Sequence, residues 1–283
     1  MIKIKNGYTI SEFGNQMLKY LVLLILMVIV IVPLYVMVSA AFKAPPDYLT
    51  SSPFSLPHPI FLGNILKVFD KAKILLAYQN SMIITLSSVT VSILIGSMMT
   101  FAVSRFNFKL KPFVMVIFYG AMMVPMYTIE VSRFTVIKMM GLYNTLGAPI
   151  ILYIGADMMI LFIYKQYMDK IPISLDESAI VDGASYWQVY TRIIFPLVKP
   201  ATLIVAIIRF VDITNDMYIP YIYIPSDRFR TMTTAIMLFA GQKSSSWPLL
   251  ASAMLWVILP IIIVYFIFQK QIISGIAAGA VRE

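Results

Sequence analysis

Apolar residues along this chain gather into six long blocks: Tyr20–Phe42, Ser81–Val103, Phe113–Phe134, Leu146–Tyr167, Leu197–Tyr218 and Leu249–Gln269. Each is close to the roughly 20 residues that a helix needs to cross a hydrocarbon layer about 30 Å thick. The pattern predicts an all-α membrane protein with six transmembrane helices. They form one domain over residues 20–271, after an N-terminal segment 1–19 and before a C-terminal tail 272–283. The third and fifth blocks are the least uniform. Glu130 and Arg133 interrupt one; Arg209, Asp212 and Asp216 interrupt the other. Lys3, Lys5 and Lys19 precede the first block and Val38-Ser-Ala40 resembles a cleavage site, but the block is longer than the roughly 7–15 residues of a signal core. It is expected to stay as a helix.

Composition agrees with lipid as the solvent. Hydrophobic residues make up 60% of the chain, charged residues 12%, and the mean hydropathy is +0.86. Soluble domains carry roughly 25% charged residues. Cysteine is absent, which excludes disulfides and thiolate metal sites, and His58 has no second candidate ligand near it. No metal site and no catalytic set is expected. The formal net charge of +9 reads first as loop charge on the cytoplasmic side, not as a nucleic-acid surface. The short loop Arg105-Phe-Asn-Phe-Lys-Leu-Lys111 weighs most in setting orientation, because short loops follow the positive-inside rule best. Both termini and loop 169–196 are then cytoplasmic. The loops after the first and fifth blocks lie outside and are rich in Pro, Tyr and Ser.

Loop 169–196, between the fourth and fifth blocks, carries local structure signals. Ser174-Leu-Asp-Glu177 fits a capping box, which predicts a short helix from Leu175. Gly183 is placed to stop it in a left-handed conformation. Ser185-Tyr-Trp-Gln188 fits a second capping box, opening a helix toward Pro196. Helix, glycine turn and helix make a compact knob.

Within that loop, Glu177, Ala179 and Gly183 are followed after nine residues by Ile193 and then by Pro196. This register resembles the EAA loop of ABC-importer permeases, with Ser178 standing for an alanine and Phe195 for a leucine. Asp182-Gly183-Ala184-Ser185 resembles the form found in carbohydrate importers. Other stretches resemble the same family: Pro33-Leu-Tyr35, Asn80-Ser81, Ala102-Val-Ser-Arg105-Phe, Met123-Val-Pro125, Gly141-Leu-Tyr-Asn144-Thr145 and Asn215-Asp216, where Thr214 replaces the usual tryptophan. The tail Gly275-Ile-Ala-Ala-Gly279-Ala280-Val281-Arg282 is also similar. The chain thus resembles the binding-protein-dependent, maltose-type (MetI-like) carbohydrate permeases, in particular the second permease of such an importer. The resemblance implies a homologous partner permease, two ATPase subunits that bind ATP and Mg, and an extracytoplasmic binding protein. It implies that Glu177, Ser178, Ala179, Asp182, Gly183, Ala184, Ile193 and Pro196 form the ATPase-coupling loop between helices 4 and 5. It also puts Gly275, Gly279, Ala280 and Val281 at the ATPase interface.

Charges inside spans cost roughly 2.5–3.5 kcal/mol each on insertion scales, so they tend to face a cavity or a partner. Arg209 and Asp212 share a helix face, as do Glu130 and Arg133, and either pair can be internal. Asn215 and Asp216 extend the first polar face, and Asp157 has no sequence-local partner. These seven residues are candidates for the pathway or the permease–permease interface. The chain has no Gly-x-x-x-x-Gly-Lys-[Ser/Thr] sequence, so ATP belongs to another subunit and this chain is not expected to be an enzyme. An ion-driven secondary transporter commonly shows internal repeats with broken helices, and none is evident here. Sugars or oligosaccharides are the expected cargo; glycerol phosphates are the alternative within the same class.

Overall fold

A computed structural model describes residues 10–155, 158–240 and 247–280 of the chain. These residues are mainly helical, with no strand among them. They divide into two compact units, one within residues 1–72 and 238–256, the other within 73–237 and 257–283.

The first unit starts with α1 (Ile10–Ala41). Its stretch Asn15–Ala41 reaches a mean hydropathy of 3.3 over a window with no buried residue. A length and hydropathy of this order suit a helix that crosses a hydrocarbon layer. α1 ends in a polar clasp made with α2 (Pro45–Thr50) and α3 (Gly63–Lys71). Asn64 Nδ2 donates to the carbonyls of Ala41 and Lys43 at 3.0 and 2.7 Å, tying off the helix end. Lys43 is buried at 2% exposure. Its ammonium donates to Ser52 O at 2.7 Å and Ser55 Oγ at 2.9 Å, which offsets the cost of taking it out of water.

The second unit is organised around α4 (Ile74–Arg105). Buried small residues run along it: Ser81, Thr85, Ser88, Ser92, Gly96, Ser97 and Thr100. Their spacing of three to four residues makes a stripe that lets neighbouring backbones approach closely, as helices packing in lipid require. After α4 come α5 (Lys111–Met123), α6 (Glu130–Met139), α7 (Gly147–Tyr153) and α8 (Met158–Met168). The loop that follows holds α9 (Ile173–Val181), α10 (Tyr186–Val189), a π-helical turn over Tyr190–Ile194, and α11 (Phe195–Leu197). α12 (Lys199–Asn215), α13 (Tyr218–Tyr223) and α14 (Met232–Ala235) complete residues 73–237 apart from α15 (Met237–Ala240), which begins at their edge. α4 packs on α7, α8, α12 and α14. At Gly96 an added Cβ would lie 2.4 Å from Ile160 Cγ2 of α8, so the two helices meet through a missing side chain. α16 (Trp247–Ala280) contributes to both units.

Three of the six apolar blocks are continuous helices long and apolar enough to cross a membrane, those of α1, α4 and α16. The other three are broken. In the third, α5 stops at Met123, and Val124, just before Pro125, is extended at φ −83° and ψ 116°. The proline ring disfavours a helical predecessor and drives that break. A 3-10 turn, Met126–Ile129, then leads into α6. The fourth is interrupted between Tyr153 and Met158. In the fifth, α12 is 17 residues long and meets the preceding Tyr186–Leu197 segment at a bend of 73°. Among the described residues, counting each bent pair as one crossing raises the number from three to five, one short of the six expected from sequence.

Candidate functional site

The loop after α8 forms a defined knob. α9 begins at Ile173, with Pro172 as its N-cap at φ −58° and ψ 136° and no side-chain cap. The capping box expected at Ser174 and Glu177 is therefore not formed. Ser174 already lies inside the first turn, where its helical backbone removes it from the capping position. Glu177 stands on the exposed surface of α9. The helix ends as the glycine predicts: Gly183 has φ +88°, Ala184 N donates to Ala179 O at 2.9 Å, and Gly183 N donates to Ile180 O at 3.0 Å. These two bonds constitute a Schellman motif with Asp182 as C-cap. The second expected capping box is present. Ser185 Oγ accepts from Gln188 N at 3.3 Å, and Gln188 Oε1 accepts from Ser185 N at 2.8 Å. Ile193 falls in the π-helical turn, immediately before Phe195 and Pro196. Pro196 has no N–H to give and its ring crowds the carbonyl four residues back.

The end of α4 holds this knob by two kinds of contact. α10 and the π turn are held by rings: Phe106 meets Tyr186 edge-on at 4.9 Å, and Phe101 meets Tyr190 at 5.4 Å. The Tyr190 hydroxyl shares a buried 2.8 Å hydrogen bond with Ser97 Oγ. Val189 and Ile194 are fully buried against Tyr164 and Met168 of α8. α9 is held by charge. Arg105 Nε lies 2.7 Å from Asp176 Oδ2, with side-chain exposures of 7% and 9%. Arg105 Nη2 also donates to Ile171 O at 3.0 Å. Burial raises the Asp176 carboxyl above its ordinary range; Arg105 opposes that and neighbouring Glu177 adds to it. Ile173, Leu175, Val181 and Trp187 are exposed, Val181 at 86%.

A second site is a cavity of about 830 Å³ among α5, α6, α7, α8, α12 and α13, whose polar lining is Arg133, Arg209, Asp212, Asn215 and Asp216. Five of the seven charged or amide residues singled out from sequence thus share one cavity. Glu130 stands behind it, buried, accepting from Tyr223 Oη at 2.6 Å and from Arg133 Nη1 at 3.4 Å. Asp157 lies outside the described residues. Asp216 is not a free pathway charge. Its Oδ2 accepts from Tyr153 Oη at 2.8 Å, and its Oδ1 accepts from the N–H groups of Tyr218 and Ile219 at 2.7 and 3.4 Å. It thereby caps α13 and ties it to α7. Arg209 Nη2 donates to the Tyr153 carbonyl, so the same tyrosine is gripped at both ends.

Several of these roles were not visible in the sequence. In the sequence Arg105 reads as loop charge and as part of the family-like stretch Ala102-Val-Ser-Arg105-Phe, with nothing to pair it with Asp176. Asn80 Nδ2 donates to the carbonyls of Arg228 and Arg230 at 3.0 Å each, and Ser81 Oγ accepts from Met232 N at 2.9 Å. Asn144, at φ 60°, accepts from Ser226 N at 3.2 Å. These side chains pin the segment after α13. Of the tail, α16 runs through Gly275, Gly279 and Ala280, while Val281 and Arg282 lie outside the described residues.

The architecture and sequence have clear relatives. Residues 92–277 match the family described as binding-protein-dependent transport system inner membrane component. The chain is 30% identical to the probable starch degradation products transport system permease protein of Thermoanaerobacterium thermosulfurigenes, over 92% of this chain and 94% of that protein. It is 30% identical to the melibiose/raffinose/stachyose import permease protein of Bacillus subtilis, over 89% and 91%. It is 29% identical to the maltodextrin transport system permease protein of Streptococcus pneumoniae, over 98% and 99%. In fold it is similar to a chain of a bacterial ABC transporter involved in the import of the acidic polysaccharide alginate, with a TM-score of 0.81 at 18% identity, covering 93% of this chain and 98% of that one. With a family match across residues 92–277 and relatives aligned over nearly its whole length, the chain belongs to the inner-membrane components of binding-protein-dependent transport systems.

Proposed function

We propose that this chain is one of two homologous permease subunits of an ATP-driven importer for sugars or oligosaccharides, spanning the bacterial plasma membrane with both termini in the cytoplasm. Its cargo arrives on an extracytoplasmic binding protein, and two separate ATPase subunits bind ATP and Mg and hydrolyse the nucleotide. The knob α9–Gly183–α10 carries the proposal. It presents exposed Glu177 and an apolar surface including Leu175, Val181 and Trp187, while its other side is bolted to α4. An exposed apolar patch on a rigid mount is what a docking partner requires. Glu177, Ser178, Ala179, Asp182, Gly183, Ala184, Ile193 and Pro196 form this coupling element, with Gly275, Gly279, Ala280 and Val281 of the tail reaching the same ATPases. Arg133, Arg209, Asp212 and Asn215 face the pathway or the partner permease. The sugar cargo is supported by relatives whose names give starch degradation products, melibiose, raffinose, stachyose and maltodextrin.

The test uses the purified complex of both permeases and the ATPases. A cysteine at Ser178 should crosslink to an ATPase subunit in a transporting complex. Failure to crosslink there would defeat the docking assignment. A thermal-shift panel of oligosaccharides and glycerol phosphates, run with the binding protein present, should show stabilisation by oligosaccharides. Stabilisation by glycerol phosphates alone would transfer the importer to that cargo.

A further inference from the structure

We propose that Arg105 and Asp176 form a force-transmitting latch, the contact through which displacement of α9 reaches the membrane-spanning bundle. The proposal rests on the docking role given to the knob. α9 has one buried side chain, and it is Asp176. A nine-residue helix does not hold its position in isolation, so what anchors it decides where it goes. At one end it is tied to α10 through the Gly183 turn. At the other, Arg105 takes both Asp176 Oδ2 and the Ile171 carbonyl just ahead of the helix. Arg105 is the last residue of α4, and α4 packs on α12, which carries Arg209 and Asp212 into the polar cavity. One continuous path therefore runs from α9 through this ion pair to the cavity wall, beside the ring contacts that join α10 and the π-helical turn to α4.

The chemistry suits transmission better than adhesion. Buried ion pairs are weak glue, because apolar residues of equal volume often stabilise as well. What this pair provides is attraction between two opposite charges 2.7 Å apart at low exposure, lost when either charge is removed. α10 has the apolar, ring-based attachment that adhesion calls for. α9 has the ionic one. Arg105 and Asp176 are thus positioning residues. They touch neither cargo nor nucleotide, and they act through the knob.

The experiment uses the whole importer in proteoliposomes, read as uptake per ATP hydrolysed and as crosslinking of Ser178→Cys to the ATPase. Asp176→Asn and Arg105→Met should each keep the crosslink while uptake per ATP falls by about tenfold, within the usual range of coupling effects. Arg105→Lys, which keeps the charge, should hold most of the coupling. The exchanged pair Arg105→Asp/Asp176→Arg should recover about fivefold over either single variant. A purely structural role predicts no such recovery at constant crosslinking. Wild-type uptake per ATP in Asp176→Asn with the crosslink intact would overturn the latch alone. Absence of the crosslink with the native pair in place would overturn the docking role and the latch with it. Should the single variants fail to assemble, the exchanged pair decides: assembled and coupled supports the latch, whereas unassembled or uncoupled assigns the pair to folding and removes the proposal.

Discussion

Gly183 is a residue whose conformation, not its contacts, makes the knob. At φ +88° an added Cβ meets nothing within 4 Å, so any penalty there is backbone strain. A non-glycine residue in the left-handed region costs about 1–2 kcal/mol, asparagine least and β-branched residues most. Gly183→Asn should keep most transport, and Gly183→Val should lose both transport and ATPase association, measured by uptake and co-purification. Equal uptake by the two variants would show that the turn does not matter. Glu177 makes the complementary case. Because it caps nothing within the chain, Glu177→Ala should change stability by no more than about 0.5 kcal/mol, as exposed substitutions do. On the proposed docking role, uptake should nevertheless fall, because the lost charge would face the ATPase. A thermal melt of the complex beside an uptake assay separates the two effects.

At the scale of elements, α4 is the organising helix, and small side chains make it so. Between helices in lipid there is no water to expel, so close approach and good van der Waals contact must hold them together. Gly96 is the closest point, with Ile160 Cγ2 2.4 Å from where a Cβ would stand. Gly96→Val should therefore push α8 off α4 and destabilise the complex by about 1–3 kcal/mol, the usual cost of overpacking. A lowered melting temperature in detergent, partly restored by Ile160→Ala, is the expected readout. An unchanged melting temperature in Gly96→Val would mean that the two helices do not meet there. The broken helices follow from equally local causes. Pro125 stops α5, and Pro196 with Pro200 flanks the 73° bend ahead of α12. Such breaks are tolerated at membrane depth only where the freed backbone groups face protein or a cavity. The polar cavity satisfies that condition beside Tyr153, and the buried cluster around Val198 satisfies it at the bend ahead of α12.

At the scale of the whole molecule, this chain offers surfaces that only an assembly can cover. They are the exposed knob and the polar cavity beside α12. Deleting residues Ala277–Glu283 should leave insertion intact while lowering uptake per ATP, because the tail's small residues suit close insertion between partner subunits. Uptake per ATP equal to that of the full-length chain would make the tail a dispensable end.

The parts of this architecture legible in the sequence are those governed by neighbours in the chain. Apolar blocks of about 20 residues imply helices in lipid. A glycine at the end of a short helix implies the left-handed turn, and Ser185 with Gln188 implies a reciprocal cap; both are seen. The EAA-like register was legible for the same reason, since its residues lie within one loop. Local competition misled at Pro172, which opened α9 ahead of Ser174 so that the first capping box was lost, and at Pro125, which broke the third apolar block. The remainder depended on which helix faces meet. Arg105 finds Asp176, Tyr223 finds Glu130, Asn80 finds the carbonyls of Arg228 and Arg230, and Tyr153 finds Asp216. Each of these bonds joins residues dozens of positions apart, and a helix shows its period without showing what its buried face will meet. In lipid, buried polar groups take whatever partner the packing brings within reach. Packing is thus what gave Glu130 and Asp216 hydrogen-bond partners within the chain and set Arg105 against Asp176 at the mount of the knob.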